Sequence, residues 1–184
     1  MPFIGEHNVQ NALAAIAVGA VFGVKLNDSA KALRTAKLTG SRQEIVRAGT
    51  LTVINDAYNA SPASMEAALK TLHEAKKASP GARTIAVLAD MLELGDISSD
   101  SHRRVGQFAV REKTDVVIAY GEEARAIAAA VEALGGTAYW CAGRDEAARL
   151  LDSLLQPHDI VLLKGSHSMQ VDSLLELVFQ NKQL

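Results

Sequence analysis

Apolar and polar positions change period along this chain. From Asn8 to Gly23 the apolar residues Leu13, Ile16, Ala17 and Ala20 recur at helical spacing, and Gly23 offers a stop. Asn27, Asp28 and Ser29 supply cap residues for a second helix running to about Leu38. After Gly40 the period shortens: 43–48 and 51–55 read as two strands joined through Gly49, a hairpin. Strands and helices then alternate. Helices are predicted over 64–78 (with Pro62 near the start), 100–113, 122–134, 144–155 and 169–180, and strands over 84–89, 115–120, 137–141 and 159–163.

Short apolar runs alternating with amphipathic helices predict an α/β fold: a mostly parallel, Rossmann-like sheet with helices on both faces, opened by the hairpin. Two helices cannot bury a core of their own, so 1–39 reads as the tail of a preceding domain and 40–184 as a second domain. In such sheets ligands gather at the carboxyl ends of the strands. Three unusual strings fall there: Asn55-Asp-Ala-Tyr-Asn-Ala-Ser-Pro62, Asp90-Met-Leu-Glu-Leu-Gly95 and Lys164-Gly-Ser-His167.

Composition narrows the partners. Hydrophobic residues make up 48% of the 184 and charged residues 22%, with a formal net charge of -2. There is no basic excess to draw nucleic acid, and at 4% aromatics stacking platforms are scarce. Cys141 is alone, which excludes an internal disulfide and fits a cytoplasmic setting. The start lacks the pattern of a signal peptide. The first apolar helix is alanine-rich and shorter than the roughly 20 apolar residues a bilayer requires, so no membrane insertion is expected.

Together with His7-Asn-Val-Gln-Asn11 and Leu38-Thr-Gly-Ser-Arg42, these strings closely resemble the Mur ligase family of ATP-dependent amide-bond-forming enzymes. The likeness covers nearly the whole chain. It implies that 1–39 is the end of the family's central ATP-binding domain and 40–184 its C-terminal, glutamate ligase-type domain. The string from Asp90 to Gly95 matches best the branch that adds D-alanyl-D-alanine to UDP-N-acetylmuramoyl-tripeptide in peptidoglycan synthesis.

The resemblance assigns roles residue by residue. Asn8 and Asn11, three apart on one helix face, would hold adenine, since a carboxamide both donates and accepts; helix capping by Asn8 is the structural alternative. Arg42, at the domain junction, would reach the ATP phosphates when the domains close, its fork matching phosphate oxygens; otherwise it is a solvated surface arginine. Asp56 would take the ribose hydroxyls, while Tyr58, Asn59 and Ser61 would line the cleft near the phosphates and the incoming amine. The same segment also reads as a turn and helix start.

Asp90 and Glu93 would attract the dipeptide's ammonium group, or are plain loop acids; His102 downstream reads as a packing residue. Lys164, Ser166 and His167, with a following helix N-terminus, would bind the dipeptide's carboxylate, Lys164 also serving catalysis. His167 stands where the family more often has arginine, and Ala89 where it more often has glycine.

The implied chemistry uses ATP and Mg2+ to phosphorylate the tripeptide's carboxylate before the dipeptide amine attacks. That needs a P-loop, and Gly-x-x-x-x-Gly-Lys-Ser/Thr occurs nowhere in the chain. The expectation is therefore a portion of a ligase, inactive alone, whose N-terminal and central domains lie in cis or whose P-loop comes from a subunit in trans. Two other functions stay open: a related ligase of the folylpolyglutamate or cyanophycin type, and a non-catalytic binding module. A nicotinamide-binding domain is disfavoured because no Gly-x-Gly-x-x-Gly turn follows the first strand.

Overall fold

The computed structural model describes residues 6–36 and 42–180. The chain divides into two compact units, Met1–Thr39 and Gly40–Leu184. The junction string Leu38-Thr-Gly-Ser41 and the expected end of the second helix at Leu38 lie outside the described residues, as does the His7 side chain.

The first unit is a helix pair, α1 (Glu6–Val21) and α2 (Leu26–Thr35). Gly23 closes α1 with φ 78°, a left-handed conformation that a side chain disfavours. This unit buries little: Leu13, Val18, Val21, Phe22 and Leu26 are exposed, and α2 has no buried residue.

The second unit is built on one six-stranded sheet of order β1-β2-β6-β3-β4-β5. Its strands are β1 (Glu44–Ala48), β2 (Leu51–Asn55), β3 (Thr84–Ala89), β4 (Val116–Tyr120), β5 (Ala138–Cys141) and β6 (Ile160–Lys164). β1 and β2 form the antiparallel hairpin and every other pairing is parallel, as predicted. Between them run α3 (Pro62–Ala78), α4 (Ser98–Arg111), α5 (Arg125–Ala133) and α6 (Arg144–Leu154).

Because successive strand residues point to opposite faces, the continuous apolar runs feed two cores. Ile54, Ala86, Leu88, Val117 and Leu162 join Met65, Leu69, Val105 and Ile127 of α3, α4 and α5 on one face. Val53, Ile85, Val87, Ile118 and Leu163 join Leu151 of α6 and Leu174 and Phe179 of the closing segment on the other. Each fully buried Leu or Ile contributes about 1.5–3 kcal/mol. The two cores make the sheet a rigid base for the loops at its carboxyl ends.

Two predicted helices differ. The closing helix expected over 169–180 is instead a chain of short turns, His167–Met169, Val171–Ser173 and Leu175–Phe179. Gln170 adopts φ 52°, and its carbonyl accepts from the Ser173 hydroxyl at 2.7 Å, so regular helical bonding cannot start there. The helix expected from Glu122 starts only at Arg125, because the preceding turn is held by Asp90.

Candidate functional site

The last strand in sequence, β6, inserts between β2 and β3, and this brings Lys164 beside the loop that follows β2. Lys164 is 2% exposed. Its ammonium group donates to Asp56 Oδ2 at 2.7 Å, to the Asp56 carbonyl at 3.2 Å and to the Asn59 carbonyl at 3.0 Å. All three donors are therefore committed to the chain. The anion-binding and catalytic contacts expected of Lys164 give way to another job: it fixes the 56–59 loop from beneath. Asp56 in turn accepts from the Gln43 N–H at 3.2 Å, tying the segment before β1 to the same loop.

Around this largely buried pair lie two rings and a cation. The Arg42 guanidinium carbon sits 4.0 Å from the centre of the Tyr58 ring, and the His167 ring lies 6.1 Å from Tyr58 and tilted by 44°. Tyr58 is 46% exposed. Three segments far apart in sequence thus meet at one end of the sheet. Asn59 turns inward on itself, its Oδ1 accepting from the Ala60 N–H at 2.8 Å. Ser61 caps α3: its hydroxyl accepts from the Ser64 N–H, the Ser64 hydroxyl accepts from the Ser61 N–H, and Pro62 opens the helix. Ser61, expected at the substrate, is exposed and its hydroxyl serves this cap.

Asp90, at the end of β3, is buried rather than offered to a ligand. Its Oδ1 accepts from the Ala124 N–H at 2.7 Å, capping the turn into α5. The carboxylate packs so tightly on Gly121 (φ 106°) that a Cβ there would come within 2.4 Å of it. Burial pushes the Asp90 carboxyl above the usual carboxylate range, partly offset by that N–H. The ammonium-attracting role expected of Asp90 does not fit this burial. Glu93 remains exposed, with φ 64°.

His102 is fully buried. Its Nε2 accepts from the Met91 N–H at 2.9 Å while Nδ1 donates to the Ser98 carbonyl at 2.8 Å, which sets the tautomer. Ser166 is also internal: its hydroxyl accepts from the Leu92 N–H at 2.9 Å and its N–H donates to the Asp90 carbonyl at 3.0 Å. These bonds stitch the loops after β3 and β6 together. A Cβ on Gly165 would meet that of Ala89 at 2.6 Å, so the two loops need glycine at 165.

On the α6 face a cleft of about 650 Å³ opens beside His167, lined also by Glu44, Asn55, Arg144, Gln170 and Glu176. Asn55 is 1% exposed; its Nδ2 donates to Glu44 Oε2 at 3.3 Å, and its Oδ1 has no partner. An orphaned buried acceptor costs about 1–3 kcal/mol. Arg144 donates to Gln170 Oε1 at 2.6 Å across the cleft mouth. Sequence analysis gave no role to Asn55, Glu44, Arg144 or Gln170. The one legible signal was Asn55 itself, a carboxamide ending a strand that is apolar apart from Thr52.

In the first unit, Asn8 is buried and Asn11 exposed in the opening turns of α1. Among the described residues no group of three or more His, Cys, Asp or Glu side chains is arranged to hold a metal ion, and no helix is long and apolar enough to cross a membrane.

Comparison with known proteins agrees with this architecture. Over 123 residues, 66% of this chain and 26% of the relative, the chain is 44% identical to the UDP-N-acetylmuramoyl-tripeptide–D-alanyl-D-alanine ligase of Bacillus subtilis. The ligase of the same name from Mycobacterium leprae is 36% identical over 192 residues, 95% of this chain and 37% of the relative. The crystal structure of MurF from Acinetobacter baumannii superposes with a TM-score of 0.85 at 31% identity, covering 98% of this chain and 39% of that one. The chain thus spans well under half the length of these relatives. Residues 41–167, which hold the whole sheet and the loops at its carboxyl ends, match the glutamate ligase domain of Mur ligases, and the chain belongs to the Mur ligase family.

Proposed function

We propose that this chain works as the C-terminal portion of a cytoplasmic ATP-dependent ligase that joins D-alanyl-D-alanine to UDP-N-acetylmuramoyl-tripeptide. On this reading 1–39 is the end of the central ATP-binding domain, and the P-loop lies in a part of the enzyme outside this sequence. The reaction transfers the γ-phosphoryl group of ATP to the tripeptide carboxylate, releasing ADP. The dipeptide amine then attacks the acyl phosphate, loses its proton, and phosphate leaves as the amide forms. Magnesium serves such a reaction by neutralising phosphate charge. The donor set described here does not make a magnesium site, so no step is assigned to the metal in this chain.

The observation that carries the reading is the meeting of Arg42, Tyr58 and His167 over the Lys164–Asp56 pair. Arg42 supplies an always-charged fork for the phosphates. Asp56 keeps a second lone pair on each oxygen beyond those facing Gln43 and Lys164, which suits ribose hydroxyls. Asn8 and Asn11 take the adenine edge. The dipeptide occupies the cleft, its carboxylate toward His167 and Arg144.

The test is phosphate release by the full-length gene product given ATP, magnesium and both substrates. Release that requires D-alanyl-D-alanine and is not supported by L-glutamate or L-aspartate is expected. No release, or release with either acidic amino acid instead, overturns the assignment.

A further inference from the structure

We propose that Tyr58 is a positioning residue for Arg42: its ring is a fixed platform that holds the guanidinium where the phosphates arrive. The proposal rests on the reading of Arg42 given above. Tyr58 sits in an exposed loop, yet the backbone beneath it is immobilised. The carbonyls of Asp56 and Asn59, on either side of Tyr58, are bound by the one Lys164 ammonium group. The Asn59 side chain closes the loop onto Ala60. The arginine is anchored at its own end, because the neighbouring Gln43 N–H donates to Asp56 Oδ1 at 3.2 Å. Ring and guanidinium are therefore both referred to the same part-buried carboxylate.

Stacking suits this task better than an ion pair. The Arg42 guanidinium carbon lies over the ring, 4.0 Å from its centre. A guanidinium stacked on a ring keeps its five N–H donors in its plane, at the edge, for a ligand. A carboxylate partner would take those donors and the charge together. An exposed contact of this kind biases the guanidinium toward one position by roughly two- to five-fold. Desolvation by bound substrates strengthens it further. Tyr58 also neighbours His167, which lines the cleft, at 6.1 Å.

The contact is read directly by NMR of this chain, where a ring stacked on Arg42 shifts its δ-protons upfield. The shift is expected in the wild type and in Tyr58→Phe and is lost in Tyr58→Leu; an unshifted wild type overturns the proposal. In the full-length gene product, Tyr58→Leu should lower kcat about five- to twenty-fold with KM for ATP changed less than two-fold. Tyr58→Phe should recover most of that loss. Adding Tyr58→Leu to Arg42→Ala should have no further effect, since the platform then has nothing to hold. Full activity of Tyr58→Leu, or a double variant slower by the whole Tyr58→Leu factor, overturns the proposal. Full activity of Arg42→Ala would instead sink the phosphate role of Arg42 itself, a separate outcome.

Discussion

At the amino ends of its strands the sheet closes on two complete ion-pair clusters, and at the carboxyl ends on clusters with chemistry left over. Arg83 grips Asp159 through two hydrogen bonds at 3.1 and 2.7 Å, and the Gln156 N–H adds a third at 2.8 Å. Lys76 binds both oxygens of Asp115 at 2.7 and 2.6 Å, and the Thr84 N–H and hydroxyl bind the same carboxylate. Lys164 and Asp56 form an equally close pair at the other end, at 2.7 Å. There, however, the surroundings include an exposed Tyr58 with the Arg42 guanidinium over its ring and an orphaned Asn55 oxygen. Identical residue types thus serve closure at one end and presentation at the other. What separates a structural ion pair from a site is the unsatisfied groups around it, not the pair.

Breaking the Lys164 anchor should have the largest effect. Lys164→Ala leaves the part-buried Asp56 carboxylate without its cation, a loss of about 3 kcal/mol. Urea unfolding of the chain measures it, and a loss below about 1 kcal/mol would return Lys164 to a ligand-facing role. Arg42→Ala should show the reverse pattern. Turnover of the full-length product falls about 10²–10³-fold, as for removal of a charge-stabilising donor. Unfolding stability changes by less than about 0.5 kcal/mol, because the residue is exposed.

Two carboxyls sharpen the comparison through pH. Burial opposes ionisation of Asp115, but the bonds from Lys76 and Thr84 outweigh it and hold the carboxyl below the ordinary range. A depressed folded value means that its stabilisation is complete above the unfolded value, about 3.9, and is lost as pH falls through the lower folded value. Asp90 has the opposite sign: its folded value is raised, so its ionised form costs stability that returns as pH falls through the raised value. In urea midpoints between about pH 5 and 2, Asp115→Asn should flatten the acid loss and Asp90→Asn should steepen it. Equal slopes for both variants would sink the distinction. The smallest effect is expected from Ser61→Ala, about 1 kcal/mol of cap energy with turnover per folded molecule nearly unchanged. A large fall in turnover would restore Ser61 to the cleft.

Much of the second unit was legible because its signals are local. The strands from Thr84 and Ile160 are continuous apolar runs, and Ser61-Pro62 announces a helix start in any context. The closing helix was misread because the apolar spacing from Met169 onward is helical while the left-handed Gln170 is invisible to periodicity. Among the site residues, Arg42, Tyr58 and His167 do meet at the carboxyl end. Asp90, Ser166 and Lys164 sit there too, but their polar atoms turn inward to hold loops. A motif names the residue types at a place and says nothing of which way a donor points.

By itself the sequence determined the fold class, the hairpin, the alternation of strands and helices, and the family, all of which follow from local period and short strings. Only the tertiary structure decided that β6 lies between β2 and β3, and with it that Lys164 meets Asp56 across 108 positions of chain. Strand order is a non-local choice, set by which crossovers bury both faces of the sheet. The division of labour among the site's polar residues follows from that order. In a buried loop each donor and acceptor must be satisfied by whatever the packing brings near, and the groups left facing outward are the ones available to a substrate.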